Sequence, residues 1–285
     1  MSFIDSIVFP DDGEEFDYLS SPQLANYYDT YYPFGILSKR NLRRLDFEKV
    51  TILCGGNGCG KTTALNVIAE KQHLKRHAAF NRSSFFDAYA DMCRVTEGDE
   101  YPTDGMIITS DDIFDMMLDI RDINDAVDRE RSSLSEEYLH LKYEHFQMKS
   151  LEDYEKLKRH NKAKRDTVSK FVRDTGSKNI REHSNGETAF RYFVDALKPD
   201  GLYLLDEPEN SLSSARQKEL AGYIEDMARY ENCQFIISTH SPFILAIKGA
   251  KIYDMDEEYP DVKKWTELAL IRDYYELFAE YKEQF

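Results

Sequence analysis

Val50-Thr51-Ile52-Leu53-Cys54-Gly55-Gly56-Asn57-Gly58-Cys59-Gly60-Lys61-Thr62-Thr63 decides how the rest of the chain is read. An apolar, β-branched run leads into a Gly-rich turn, and Ala64-Leu65-Asn66-Val67-Ile68-Ala69 then opens a helix. Gly55 to Thr62 fits G-x-x-x-x-G-K-[ST] at every fixed position, in the strand–loop–helix setting that this motif requires. Glycines let backbone N–H groups close round phosphate oxygens with no Cβ in the way. The N-terminus of the following helix adds partial positive charge at the same place. Asn57, Gly58, Cys59, Gly60, Lys61, Thr62 and Thr63 would therefore line a phosphate site, with Lys61 reaching the β- and γ-phosphates and the Thr62 hydroxyl facing Mg²⁺.

Working outward, 285 residues suffice for one large α/β domain or two small ones, and 41% hydrophobic residues supply a sizeable core. A net charge of −16 excludes a uniformly basic nucleic-acid coat but leaves room for a local basic patch. No apolar run approaches the roughly 18 residues that span a bilayer. The start lacks the basic segment of a signal peptide. Cysteines 54, 59, 93 and 233 form no C-x-x-C pair, which predicts reduced thiols and a cytoplasmic protein.

Before the loop, Phe3–Phe9 reads as a strand ended by Pro10, and Leu42–Phe47 as a strand pairing near the nucleotide edge. Tyr27, Tyr28, Tyr31 and Tyr32 offer rings that would stack on a base, although packing in the core is the preferred reading for each. Beyond the loop, residues 64–95 read as helix with loops, and Met106–Thr109 as a short buried strand after the turn at 101–105. Ile113, Met116, Met117, Ile120, Ile123 and Val127 then recur at helical spacing. Ser150 with Asp153 resembles a capping box that starts a second helix, running to about Phe171 and Val172. Residues 111–173 are read as a helical arm inserted into an α/β domain made of 1–110 and 174–285. The arm opens acidic and ends basic. Lys158, Arg159, Lys162 and Arg165 would contact a phosphate backbone or a partner, or would form a solvated face paired with the acidic half, which is the preferred reading.

In the second half, a polar loop around Ser184-Asn185-Gly186-Glu187 precedes an apolar helix. Two short buried strands follow. Gly201–Asp206 runs into Glu207-Pro208-Glu209, and Gln234–Ser238 runs into Thr239-His240. Such runs separated by helices predict a mostly parallel sheet covered by helices. Ligands then bind beyond the carboxyl ends of the strands, where the acids, the histidine and the phosphate loop all lie.

Together these residues resemble the ABC-type ATPases, a P-loop NTPase fold, and within them the RecF/SMC-like branch of stand-alone predicted AAA-family ATPases. The resemblance covers roughly residues 36–255. It implies that Asp206 joins Thr62 in holding Mg²⁺, that Glu207 is the general base, that His240 contacts the γ-phosphate, and that Asn210–Ser213 is the D-loop. Ser184, Asn185, Gly186 and Glu187 match the signature loop, which in the family closes on ATP held by Lys61 of a partner in a twofold dimer. The Q-loop glutamine is missing, with Thr109-Ser110-Asp111-Asp112 in its place, so the residue that holds the metal-bound water stays open.

Asp-Glu-Pro-Glu-Asn-Ser-Leu-Ser after the second strand and Ser241-Pro242-Phe243 after the histidine point away from a transporter's nucleotide-binding subunit, which is the alternative. The expected function is an ATP-hydrolysing switch that dimerises around ATP and gates DNA-repair or anti-phage work. It would do so with an effector protein such as a nuclease, with DNA or RNA as a candidate ligand and no membrane. Residues 261–285 read as one amphipathic helix, preferred as a core cap over a partner-binding helix.

Overall fold

The computed structural model describes residues 2–21, 30–144, 153–177 and 185–284. The chain forms two compact units, one of Met1–Phe114 with Ser184–Phe285 and the other of Asp115–His183.

In the first unit the strands are β1 (Ile4–Val8), β2 (Arg44–Asp46), β3 (Val50–Cys54), β4 (Arg94–Glu97), β5 (Asp104–Thr109), β6 (Gly201–Asp206), β7 (Gln234–Ser238), β8 (Lys251–Asp254) and β9 (Asp261–Lys263). Six of them form one sheet in the order β5-β6-β7-β3-β8-β9, parallel except for the β8–β9 pair. Every residue of β3, β6 and β7 is buried, which is why these strands read as unbroken apolar runs rather than as alternation. Helix α1 spans Asp12–Leu19 and α2 spans Lys61–Lys71. α2 packs on β5, β6 and β7 through its buried Ala64, Leu65, Val67 and Ile68. Helices α3 (Phe86–Met92), α7 (Asn185–Ala196), α8 (Ser214–Tyr230), α9 (Pro242–Leu245) and α10 (Ala269–Glu280) complete this unit, along with the first residues of α4 (Ser110–Tyr143).

The strand expected at 42–47 does not join the nucleotide edge. β2 pairs with β1 in a separate antiparallel sheet of order β2-β1-β4. In β2, Leu45 is buried while Arg44 is exposed, the one-sided pattern of an antiparallel ladder. Gln234 joins the two sheets. Its fully buried carboxamide accepts from Phe3 N (2.8 Å) and Ile4 N (3.0 Å) and donates to Ile4 O (2.8 Å) and Glu48 O (3.2 Å).

The C-terminal stretch also departs from expectation. It opens with β9, whose Val262 lies opposite Tyr253, passes through a turn at Trp265–Glu267, and becomes helical only over Ala269–Glu280. Lys263 ties β9 to Asp254 at 2.9 Å. Leu268 and Ile271 reach the core, whereas Tyr275 and Leu277 stay exposed, so the core-cap reading holds only for the start of the segment.

The second unit holds the rest of α4 with α5 (Tyr154–Arg165) and α6 (Val168–Thr175). The single helix expected up to Phe171 is broken at Asp166 and Thr167, both extended. The Asp166 carbonyl, which a continuous helix would give to the N–H of Lys170, instead accepts from the Tyr138 hydroxyl at 3.1 Å. The break lets Phe171 pack against Tyr138, with ring centroids 5.6 Å apart. Ser150 of the expected capping box lies outside the described residues.

Gln234→Ala leaves buried backbone groups of the first strand without partners. It should lower stability by about 2–4 kcal/mol in urea unfolding, and a loss below about 1 kcal/mol would refute the joint.

Candidate functional site

Parallel register sets Thr109, Asp206, Ser238, Leu53 and Tyr253 in one row across the sheet. The loops that leave this row carry the predicted residues. From Cys54 the chain enters the phosphate loop. Gly58 (φ 79°) and Gly60 (φ 98°) take left-handed backbone. A Cβ on Gly60 would lie 2.8 Å from Leu37 Cδ2, so both the conformation and the space call for glycine there. Gly60 is also the N-cap of α2 and supplies no side chain to the first-turn N–H groups, so they face outward as an anion site. Lys61 is buried, and its ammonium donates to Gly55 O (2.6 Å) and Gly56 O (3.1 Å). A space of about 280 Å³ is lined by Asn57, Gly58, Lys61, Thr62, Thr63 and Glu207, among others. Cys59 is buried beneath the loop.

Thr62 Oγ1 donates to Asp206 Oδ1 at 3.2 Å, so the two expected metal-holding oxygens already converge. Burial raises the Asp206 carboxyl above the ordinary Asp range, with the Thr62 hydroxyl opposing the shift. Glu207 follows with left-handed backbone (φ 49°, ψ 54°). That conformation is strained for a residue other than glycine. Its N–H donates to Ser238 O at 2.9 Å, which fixes the strand ends to each other. Its carboxylate is held between two groups. Asn210 Nδ2 donates to Oε2 at 2.9 Å, and His240 Nε2 lies 3.5 Å from Oε1. Lys61, Thr62, Asp206, Glu207 and His240 therefore meet at one sheet edge.

Other expectations place differently. Asp112 accepts from Ala78 N (2.7 Å), Thr109 N (2.6 Å) and Thr109 Oγ1 (2.7 Å), so this acid of the Q-loop region staples the backbone. Tyr31 packs against Phe85 and Tyr32 against Phe86, in line with packing over base stacking, while Tyr27 and Tyr28 lie outside the described residues. Of the signature loop, Ser184 lies outside the described residues, and Asn185 and Glu187 open α7. A Cβ on Gly186 would meet Ser213 N and Ser211 O at 3.6 and 3.7 Å, so this loop lies against the D-loop. In the second unit Arg159 pairs with Glu137 (3.0 Å), Arg165 with Asp166 (3.2 Å) and Lys158 more loosely with Glu155 (3.9 Å), while Lys162 donates to Thr175 Oγ1 (2.9 Å).

Sequence reasoning missed three residues. Asp256 accepts the Gly56 N–H through both oxygens, at 2.7 and 2.8 Å, 200 positions away in the chain. Arg76 donates to Asn66 Oδ1 at 2.7 Å and lies 4.0 Å over the Phe80 ring, and burial lowers its pKa against the charges of Asp112, Glu70 and Asp206. Glu209 accepts the N–H groups of His240 (2.5 Å) and Ser241 (3.1 Å). Only Glu209 carried a signal, as the third acid of Asp-Glu-Pro-Glu.

The family described as "AAA domain, putative AbiEii toxin, Type IV TA system" matches residues 104–246, half of the chain, and the protein belongs to it. The fold is accordingly that of an AAA-type ATPase domain, a mostly parallel sheet flanked by helices with a phosphate loop after β3. Among solved structures, the chain resembles an Smc head domain with an extended coiled coil, bound to the C-terminal domain of ScpA, derived from Pyrococcus furiosus. Identity there is 16% over 84% of this chain and 95% of that one, with a TM-score of 0.39. A nucleotide-free ATP-binding cassette from an ABC transporter gives 14% identity over 82% and 87%, with a TM-score of 0.37. A putative metal-chelate type ABC transporter in an inward-facing conformation gives 17% over 80% and 78%, with a TM-score of 0.39. No curated protein matches the chain. Among the described residues, no helix is long and apolar enough to cross a membrane.

Because burial penalises the charged form of Asp206, Asp206→Asn should raise Tm by about 2–4 °C at neutral pH while abolishing the Mg²⁺ dependence of ATP binding. The gain should shrink as pH falls through the raised Asp206 range towards the ordinary value of 3.8, because protonation relieves the same penalty in the native protein. Scanning calorimetry across that range, with ATP titrations, checks both halves.

Proposed function

We propose that this protein is an ATP-hydrolysing switch that closes as a twofold dimer around two ATP molecules and gates an effector chain. The observation that carries the reading is the Glu207 carboxylate, bonded by Asn210 and 3.5 Å from His240 Nε2, beside the Lys61–Thr62–Asp206 edge. The phosphate loop binds the triphosphate through its backbone N–H groups and the Lys61 ammonium. Thr62 and Asp206 fit a Mg²⁺ ion, since a hydroxyl and a carboxylate already meet at 3.2 Å. Such a hard oxygen set suits that ion. Bound there, the ion would neutralise charge on the phosphate oxygens. Glu207 takes the proton from the attacking water as its oxygen bonds to the γ-phosphorus and the bond to the β-phosphate oxygen breaks. In this reading His240 donates towards the departing phosphate, and Lys61 balances the charge left on ADP.

In this reading Ser184 and Gly186 complete the site of a second copy, so loss of the γ-phosphate removes what holds the two copies together. The basic segment of the second unit supplies the contact to an effector such as a nuclease, or to DNA or RNA. Its four named cations have intramolecular partners, of which the exposed pairs Arg159–Glu137 and Lys158–Glu155 are weak enough to exchange for phosphate.

The test is the solution mass of Glu207→Gln by size exclusion with light scattering. That variant should bind ATP without turnover and double its mass with ATP and Mg²⁺. A mass that stays monomeric removes the dimer from the proposal. Wild-type protein that releases no phosphate from ATP removes the enzyme.

A further inference from the structure

The loop after β6 and the loop after β7 are laced together by two side chains to which nothing above gives a catalytic role. The Glu209 carboxylate, in the first loop, accepts both the His240 N–H at 2.5 Å and the Ser241 N–H at 3.1 Å. Gln217, one turn into α8, spans the same gap. Its Nε2 donates to Leu212 O at 2.9 Å, and its Oε1 accepts from Ser241 Oγ at 2.8 Å. Ser241 Oγ in turn caps α9 by accepting from Phe243 N and Ile244 N. These bonds run to the main chain of His240 and to its immediate neighbours. They therefore fix the backbone from which the imidazole projects, with its Nε2 3.5 Å from Glu207 Oε1.

The placement is unfavourable for the acid itself. Burial pushes the Glu209 carboxyl above the ordinary Glu range, and Glu207, two residues away, pushes it further the same way. A carboxylate is a poor choice for a site that needs only a turn. It suits a site that must draw two N–H groups onto one oxygen, because bonds to a charged acceptor are roughly twice as strong as neutral ones.

We propose that Glu209 is a positioning residue for hydrolysis. Its carboxylate clamps the backbone of His240 to the loop that carries Glu207, so that base and histidine keep one fixed geometry, with Gln217 as the second strut. This rests on the reading of the chain as an ATPase. In this role Glu209 acts through His240, whose N–H it accepts.

The test is a double-mutant cycle on the full chain with Glu209→Ala, His240→Ala and both together, measured as ATP turnover. Glu209→Ala should lower kcat about 10- to 100-fold, the scale of an ångström-sized misplacement, with KM and the affinity for a fluorescent ATP analogue held within about twofold. In the His240→Ala background the same substitution should cost less than about twofold further. Glu209→Gln keeps an oxygen that both N–H groups can reach but holds them with weaker neutral bonds, so it should recover part of the loss, which also guards against an alanine variant that folds poorly. Without any nucleotide, amide hydrogen exchange across 239–243 should be faster in Glu209→Ala than in the wild type. Losses that multiply in the double variant, or an unchanged exchange rate, overturn the clamp. Wild-type turnover that survives Glu209→Ala overturns this inference alone, whereas a wild type without turnover overturns the ATPase reading beneath it.

Discussion

The parallel ladder through β5, β6, β7, β3 and β8 is the constraint on which the site depends. It carries one row of aligned residues from Thr109 to Tyr253, so five strands end level and their loops leave from one line. A shift of one residue in any pair would turn buried side chains to the opposite face, and near-complete burial of the central strands makes such a slip costly. Precision at the centre therefore comes from hydrophobic burial some residues away. The polar groups at the strand ends then add local bonds, such as Glu207 N to Ser238 O, to a register already fixed.

At those ends the chemistry is built from strained and desolvated groups. Glu207 holds left-handed backbone, and the Asp206 and Glu209 carboxyls are raised by burial. Each lowers stability and each is tied down by neighbours: Thr62 on Asp206, Asn210 on Glu207, two backbone amides on Glu209. Stability given up at such a place is the usual mark of a site shaped for a ligand's charge rather than for the fold's own.

The parts legible in the sequence were those whose physics is local. The phosphate loop needs glycines, a lysine and a threonine within one short stretch, and the acids and the histidine each follow a short buried strand directly. What stayed hidden depends on residues far apart in the chain. Asp256 meets Gly56 across 200 positions, and Arg76 is a functional candidate only because it lies buried beside Asn66 and Phe80. The arm's second helix looked continuous because nothing near Asp166 breaks a helix. Tyr138, 28 residues earlier, takes its carbonyl. β9 was lost inside an amphipathic pattern because three residues are too few to show alternation, and its pairing with β8 is tertiary.

The join between the two sheets of the first unit has a consequence for how the molecule meets acid. Gln234 makes that join with a neutral carboxamide, which neither gains nor loses a proton over the range in which proteins work. Asp206 and Glu209 take up protons at a higher pH than ordinary carboxylates. Mild acidification therefore protonates these two carboxylates at the strand ends ahead of ordinary surface acids, while the seam between the sheets holds no group that titrates.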